Sequence, residues 1–177
     1  GRGRPAPGGP GARPRGPDPR LSPGGPNASL EPPSRNRVLV AGLTKPGKDL
    51  APAPDLAVSW TTSADGLSWT FKLREGVKWS DGTPFTSADV AFTFNDIVLK
   101  PELGAQNRGN FSAVKSVTAV DATTVRFDLS RKFSALTAYL AYNSGIVPKH
   151  VLSADPLKTN TFNKGVPVST GPFKVEK

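Results

Sequence analysis

The chain has 177 residues, of which 36% are hydrophobic and 21% charged, and it carries a net charge of +9. It holds no cysteine, which excludes disulfides, thiolate metal sites and a cysteine nucleophile. No apolar run approaches the roughly 20 residues that a membrane-crossing helix needs, and the length allows one domain or two small ones.

Charge and chain-breaking residues are concentrated at one end. Residues 1–37 hold ten Pro and eight Gly, and their seven Arg against Asp18 and Glu31 give +5, leaving only +4 for the other 140 residues. This arm has no hydrophobic period and little to bury, so it cannot offset an ordering entropy of roughly 1–2 kcal/mol per residue and is expected to be disordered. It reads as a linker, as out-of-frame sequence from a GC-rich gene, or as an arginine-rich segment for phosphate backbones. No aromatic residue precedes Trp60, so the arm offers nothing for bases to stack on. Methionine is absent even at position 1, and neither a signal peptide nor a lipid-attachment cysteine is visible. The chain therefore reads as a processed product, a fragment, or the translation of part of a gene.

Order is expected from Val38 onward. A short apolar run and a Pro46-Gly47 turn lead to a strand near Leu56–Ser59. Asp65-Gly66 joins this strand to a second in which Trp69, Phe71 and Leu73 share one face and Thr70, Lys72 and Arg74 the other, the signature of a hairpin. Val77 to Trp79 forms a further short run into the turn pair Asp81-Gly82. Thr86 and Asp89 then make an Asp-for-Glu variant of the capping box, ahead of Val90, Ala91, Phe94, Ile97 and Val98 at helical spacing. A polar loop runs from Lys100 to Asn110. A second hairpin follows, with Val114, Val117 and Val120 before a turn at Asp121-Ala122 and Val125, Phe127 and Leu129 after it. Phe133–Tyr142 is apolar and of helical length; Ser144-Gly145 stops it, and Ile146-Val147 precede Pro148.

The stretch from Leu56 to Val90 resembles the signature region of the family 5 extracellular solute-binding proteins, the receptors of ABC importers for oligopeptides, dipeptides, nickel and some oligosaccharides. The matching positions, in order, are Leu56-Ala57, Trp60, Asp65-Gly66, Thr70-Phe71, Leu73-Arg74, Gly76-Val77, Asp81-Gly82 and Ala88-Asp89-Val90. "IVPKHVL" and "STGPF" extend the likeness, with Ser169 standing where the family's first glycine is usual. The resemblance implies an α/β class, α+β within this fragment. The expected fold is a partial type II periplasmic-binding-protein fold with antiparallel hairpins and two main helices. Residues 38–177 would be part of the amino-terminal lobe of a longer receptor, ending soon after the chain re-enters the main lobe. The implied function is non-enzymatic: a peptide or similar small solute is captured between two lobes and handed to ABC permease subunits in the membrane, by a monomer that is periplasmic or extracytoplasmic and membrane-associated.

No catalytic set emerges from the residues themselves. His150 has no Cys or Glu cluster beside it, so a helix-start or surface role after Pro148 fits better than a metal site or a triad. Asp65 and Asp81 each precede a turn glycine and Asp89 sits in a cap, which gives all three structural duties. Trp69 falls in a hairpin core, while Trp60 and Trp79 are open to either core packing or stacking on a solute. No metal or cofactor is expected, nor nucleic acid as a partner. The candidate ligand-binding positions are Tyr142, Asn143 and Ser144, polar groups where an apolar helix gives way to a strand. The same three residues fit an ordinary helix C-terminal turn. Two further readings stay open: a truncated or frame-shifted product without activity, and nucleic-acid association through the arm.

Overall fold

The computed structural model describes residues 41–103, 105, 107–153 and 168–170. The arm 1–37, the boundary at residue 38 and the end of the chain, where re-entry into the main lobe is expected, lie outside the described residues.

A small hairpin comes first, formed by β1 (Thr44–Pro46) and β2 (Pro52–Pro54). Its loop closes through Gly47 N–H to the Ala51 carbonyl at 2.7 Å and carries Leu50 at φ +64°. The Pro46-Gly47 turn was legible, but the two strands were not. Three-residue segments containing three prolines between them have no alternation to read, and proline is confined to strand edges and ends.

The main sheet is antiparallel, built from β3 (Ala57–Thr62), β4 (Ser68–Leu73), β5 (Val114–Asp121) and β6 (Thr124–Leu129) in the order β3-β4-β6-β5. The first hairpin turns where expected: Gly66 sits at φ +71°, and Asp65 Oδ1 accepts from Leu67 N–H at 2.9 Å and from the Ser63 hydroxyl at 2.5 Å. In the second, Val114 and Val117 are both buried although an odd spacing would put them on opposite faces. A bulge between Val114 and Ser116 absorbs the extra residue, and Val120, after both, is 57% exposed. Val77–Trp79 forms only an isolated bridge, Lys78 to Pro84, around Gly82 at φ +91°.

Helix α1 (Ser87–Phe92) starts at the Thr86–Asp89 capping box and continues as a wider π turn over Thr93–Val98, in which Leu99 N–H reaches the Phe94 carbonyl at 2.8 Å. The sequence predicts a plain α-helix here, and the π turn is a departure from it. Its benefit is geometric. Val90, Phe94 and Val98 are spaced four and four, and four α-residues overshoot a full turn by about 40°. A wider turn takes that overshoot back, so all three stay on the buried line. Helix α2 (Leu136–Asn143) begins three residues after the apolar run does, with Phe133 outside it but packed on Tyr139 at 5.3 Å. The short α3 (Lys149–Leu152) follows Pro148.

The core lies between one sheet face and α1. Phe127 meets Phe71 at 5.3 Å and Phe94 at 4.9 Å, both edge to face, and Phe94 meets Phe111 at 5.2 Å. All four rings are fully buried. Phe127→Ala is expected to cost about 3–5 kcal/mol, read as a lowered midpoint in urea unfolding; a loss under about 1 kcal/mol would show that this ring is not central to the packing.

Candidate functional site

The corner proposed from the sequence sits at the C-terminal end of α2. Tyr142 is half-buried and points its hydroxyl at the Leu50 carbonyl, 3.5 Å away in the β1–β2 loop. The Ser144 hydroxyl donates back to the Leu140 carbonyl at 2.7 Å, closing the last helical turn. The backbone is tightly packed on its other side: a Cβ on Gly42 would lie 2.7 Å from the Ser144 carbonyl oxygen and 3.3 Å from that of Leu140. The fold thus brings the three residues together at one corner, with the hydroxyl of Ser144 engaged by its own helix and that of Tyr142 reaching across to the first hairpin.

The chain leaving this corner runs as a strap along α1. Ile146 N–H donates to the Ala41 carbonyl at 3.1 Å, Val147 N–H to the Thr93 hydroxyl at 3.1 Å, and Lys149 N–H to Asp89 Oδ1 at 2.9 Å. Asp89 is 4% exposed, and its other oxygen accepts from Thr86 N–H at 2.9 Å. The carboxylate that caps α1 therefore also anchors the strap. His150 extends the seam: its Nε2 lies 2.7 Å from Asp81 Oδ2, and its ring is 6.3 Å from that of Trp79. Next to Asp81, Ser80 N–H donates to the Ser169 carbonyl at 2.9 Å and Ser169 N–H returns to the Ser80 hydroxyl at 3.2 Å. Sequence reasoning missed Thr93 as a contact point because its partner is 54 positions away and nothing local marks it.

An open depression of about 290 Å³ borders the seam, with Thr83, Thr86, Lys149, His150 and Ser153 on its walls. Its carboxylate, Asp89, has a backbone donor on each oxygen, and the Nε2 of its imidazole lies against Asp81. Among the described residues no cluster of three or more His, Cys, Asp or Glu is placed to hold a metal ion. Of the tryptophans, Trp79 is 2% exposed and packs edge to face on Phe85 at 5.9 Å, which removes it as a stacking platform. Trp60 and Trp69 are half-buried and flank Phe71 at 6.1 and 6.4 Å.

Three aspartates are held below the ordinary carboxylate value, each in a turn. For Asp65 the largest cause is the Ser63 hydroxyl, with Leu67 N–H next; for Asp121 it is the backbone N–H of Thr123. For Asp81, burial pushes upward, but the His150 contact and Thr83 together outweigh it.

This mixed α/β unit, with its antiparallel sheet and few helices, is part of the architecture of type II periplasmic binding proteins. It superposes on NikZ of Campylobacter jejuni in complex with Ni(L-His) with a TM-score of 0.73 and 34% identity, covering 80% of this chain and 28% of that one. The oligopeptide-binding protein AppA of Bacillus subtilis, solved with a nonapeptide, gives 0.73 and 30% over 80% and 28%. In sequence, the glutathione-binding protein GsiB of Escherichia coli is 33% identical over 124 residues, 68% of this chain and 23% of its own length. Residues 51–177 match the family described as bacterial extracellular solute-binding proteins, family 5 Middle. The chain belongs to this family. It spans about a quarter of the length of the curated relatives it matches.

Two outcomes test the seam. Asp89→Ala strands two backbone donors at the end of α1 and in the strap, and is expected to cost about 2–5 kcal/mol in chemical denaturation, with Asp89→Asn restoring only part because its amide opposes one of the two donors. Acid should also weaken the fold. The depressed Asp65, Asp81 and Asp121 contribute stability that is fully present above the unfolded value of 3.8 and is lost as pH falls through their folded values. Thermal melts between pH 6 and pH 3 should therefore show a midpoint that drops below about pH 4; a flat profile there would contradict the assignment.

Proposed function

We propose that this chain is a portion of the amino-terminal lobe of an extracytoplasmic receptor that binds a solute, most simply a peptide, and passes it to an ABC permease in the membrane. The family match over residues 51–177 carries this reading. Relatives named for oligopeptide and glutathione binding favour a peptide-like solute. The receptor binds without altering its cargo: the polar groups of the seam are consumed by internal hydrogen bonds, as a rigid scaffold requires. In the intact receptor the solute sits between two lobes, and the unit 38–177 contributes one wall.

Within this wall, Tyr142, Asn143 and Ser144 form the solute-facing edge. What supports the choice is position: an apolar helix ends there, and the adjoining strap is held by one bond to Ala41 and two to the capped helix, at Thr93 and Asp89. Ser144 contributes through its backbone, since its hydroxyl is already committed.

Calorimetry on the intact receptor with mixed di- to hexapeptides is the test. Saturable heat is expected, and Tyr142→Ala should weaken binding about tenfold, equivalent to about 1.4 kcal/mol, while the exposed control Val120→Ser leaves it unchanged. The 177-residue chain titrated alone should give no saturable heat, because one wall does not enclose a ligand. Unaltered affinity in the Tyr142 variant would remove the corner from the binding surface, and absence of heat with the intact receptor would remove peptides as the solute.

A further inference from the structure

Beyond solute capture, the α-to-π change in the capped helix sits where the strap docks, and the π turn carries the residue that closes the sheet edge. Thr93, 2% exposed, is the first residue of the π turn. Its hydroxyl donates to the Asp89 carbonyl, four residues back, at 2.7 Å and accepts from Val147 N–H of the strap at 3.1 Å. A threonine that bonds back into the helical ladder loosens it locally and favours a widened turn. Two residues further on, the Asn95 amide clasps the outer edge of β5: its Nδ2 donates to the Val117 carbonyl at 2.6 Å, and its Oδ1 accepts from Val117 N–H at 3.0 Å. Asn95 reaches this edge from within the π turn, where Phe94 and Val98 are buried.

We infer that Thr93 is a positioning residue in a relay, by which docking of the strap Ile146–Lys149 holds the helix in its π setting and thereby keeps the Asn95 clasp on the edge of β5. Release of the strap returns the helix to a plain α ladder, rotates Asn95 off Val117 and opens the sheet edge. The coupling is reciprocal, as any linkage between two states must be: loss of the clasp weakens the hold on the strap. The relay is a property of this unit and stands whether or not the corner touches solute.

Residue-resolved amide exchange by NMR on the whole 177-residue chain tests it. Thr93→Val removes the hydroxyl and keeps the shape. It should speed exchange at Val147, its direct partner, and also at Val117, which it does not touch, by about tenfold or more. Thr93→Ser should restore both. Asn95→Ala, at a half-buried position, runs the test in reverse and should speed exchange at Val147 as well as at Val117. If Thr93→Val does not fold, the Asn95→Ala arm alone decides. Acceleration confined to the directly contacted amide in either variant overturns the relay and leaves two independent hydrogen bonds.

Discussion

The carboxylate of Asp89 receives backbone donors from two segments that the chain brings together only on folding, the start of its own helix and Lys149, 60 residues later. Burying an ionised carboxylate is costly unless its lone pairs are filled, and here each oxygen has a backbone N–H. The same group therefore does two things at once. It satisfies the backbone N–H of Thr86, the N-cap of α1, and it fixes the path of the strap between α2 and α3. Without it, the strap would have no anchor on the capped helix except the Thr93 hydroxyl.

A second constraint is volume. Phe71, Phe94, Phe111 and Phe127 fill the space between one sheet face and one helix through successive edge-to-face contacts, an arrangement in which each ring fixes the tilt of the next. The helix must present Phe94 and Val98 to the same line as Val90. With a strict 3.6-residue repeat the last of these would swing away from the sheet. The π turn therefore suits a four-and-four side-chain spacing, and Thr93, bonded back to Asp89 and across to the strap, sits at its first residue to hold it.

How much of this was legible follows from what kind of signal each element leaves. β4 and β6 alternate strictly, and Thr86 with Asp89 is a local motif, so both hairpins of the sheet and the start of α1 could be read directly. The duties of Asp65 and Asp81 in turns were legible for the same reason. The β1–β2 hairpin was not, because proline leaves no pattern, and neither was the π turn, because a four-residue spacing satisfies an α reading almost as well. Nothing near Val114 announces the bulge that keeps Val117 inward. For the candidate corner, the sequence could mark where the helix ends but not that Ser144 would spend its hydroxyl on Leu140. The strap was invisible as a strap: Val147 and Lys149 act through backbone N–H groups, which carry no residue-type signal at all.

The two edges of the sheet are managed by different means, and the difference follows from their neighbours. At β5, helix α1 runs close enough for a side-chain amide to imitate a neighbouring strand, and Asn95 supplies both a donor and an acceptor to Val117. At β3 the edge is treated differently. There the chain relies on a bulge between Ala57 and Ser59, on the bond from Ala57 N–H to the Leu43 carbonyl at the start of the strand, and on exposed Ser59, Thr61 and Thr62 further along. Bulges and polar side chains blunt an edge without closing it, whereas the amide clasp closes one residue pair fully. A four-stranded sheet with one clasped edge and one blunted edge resists pairing with other chains from both sides, and the clasped edge is the one whose protection depends on the setting of the helix beside it.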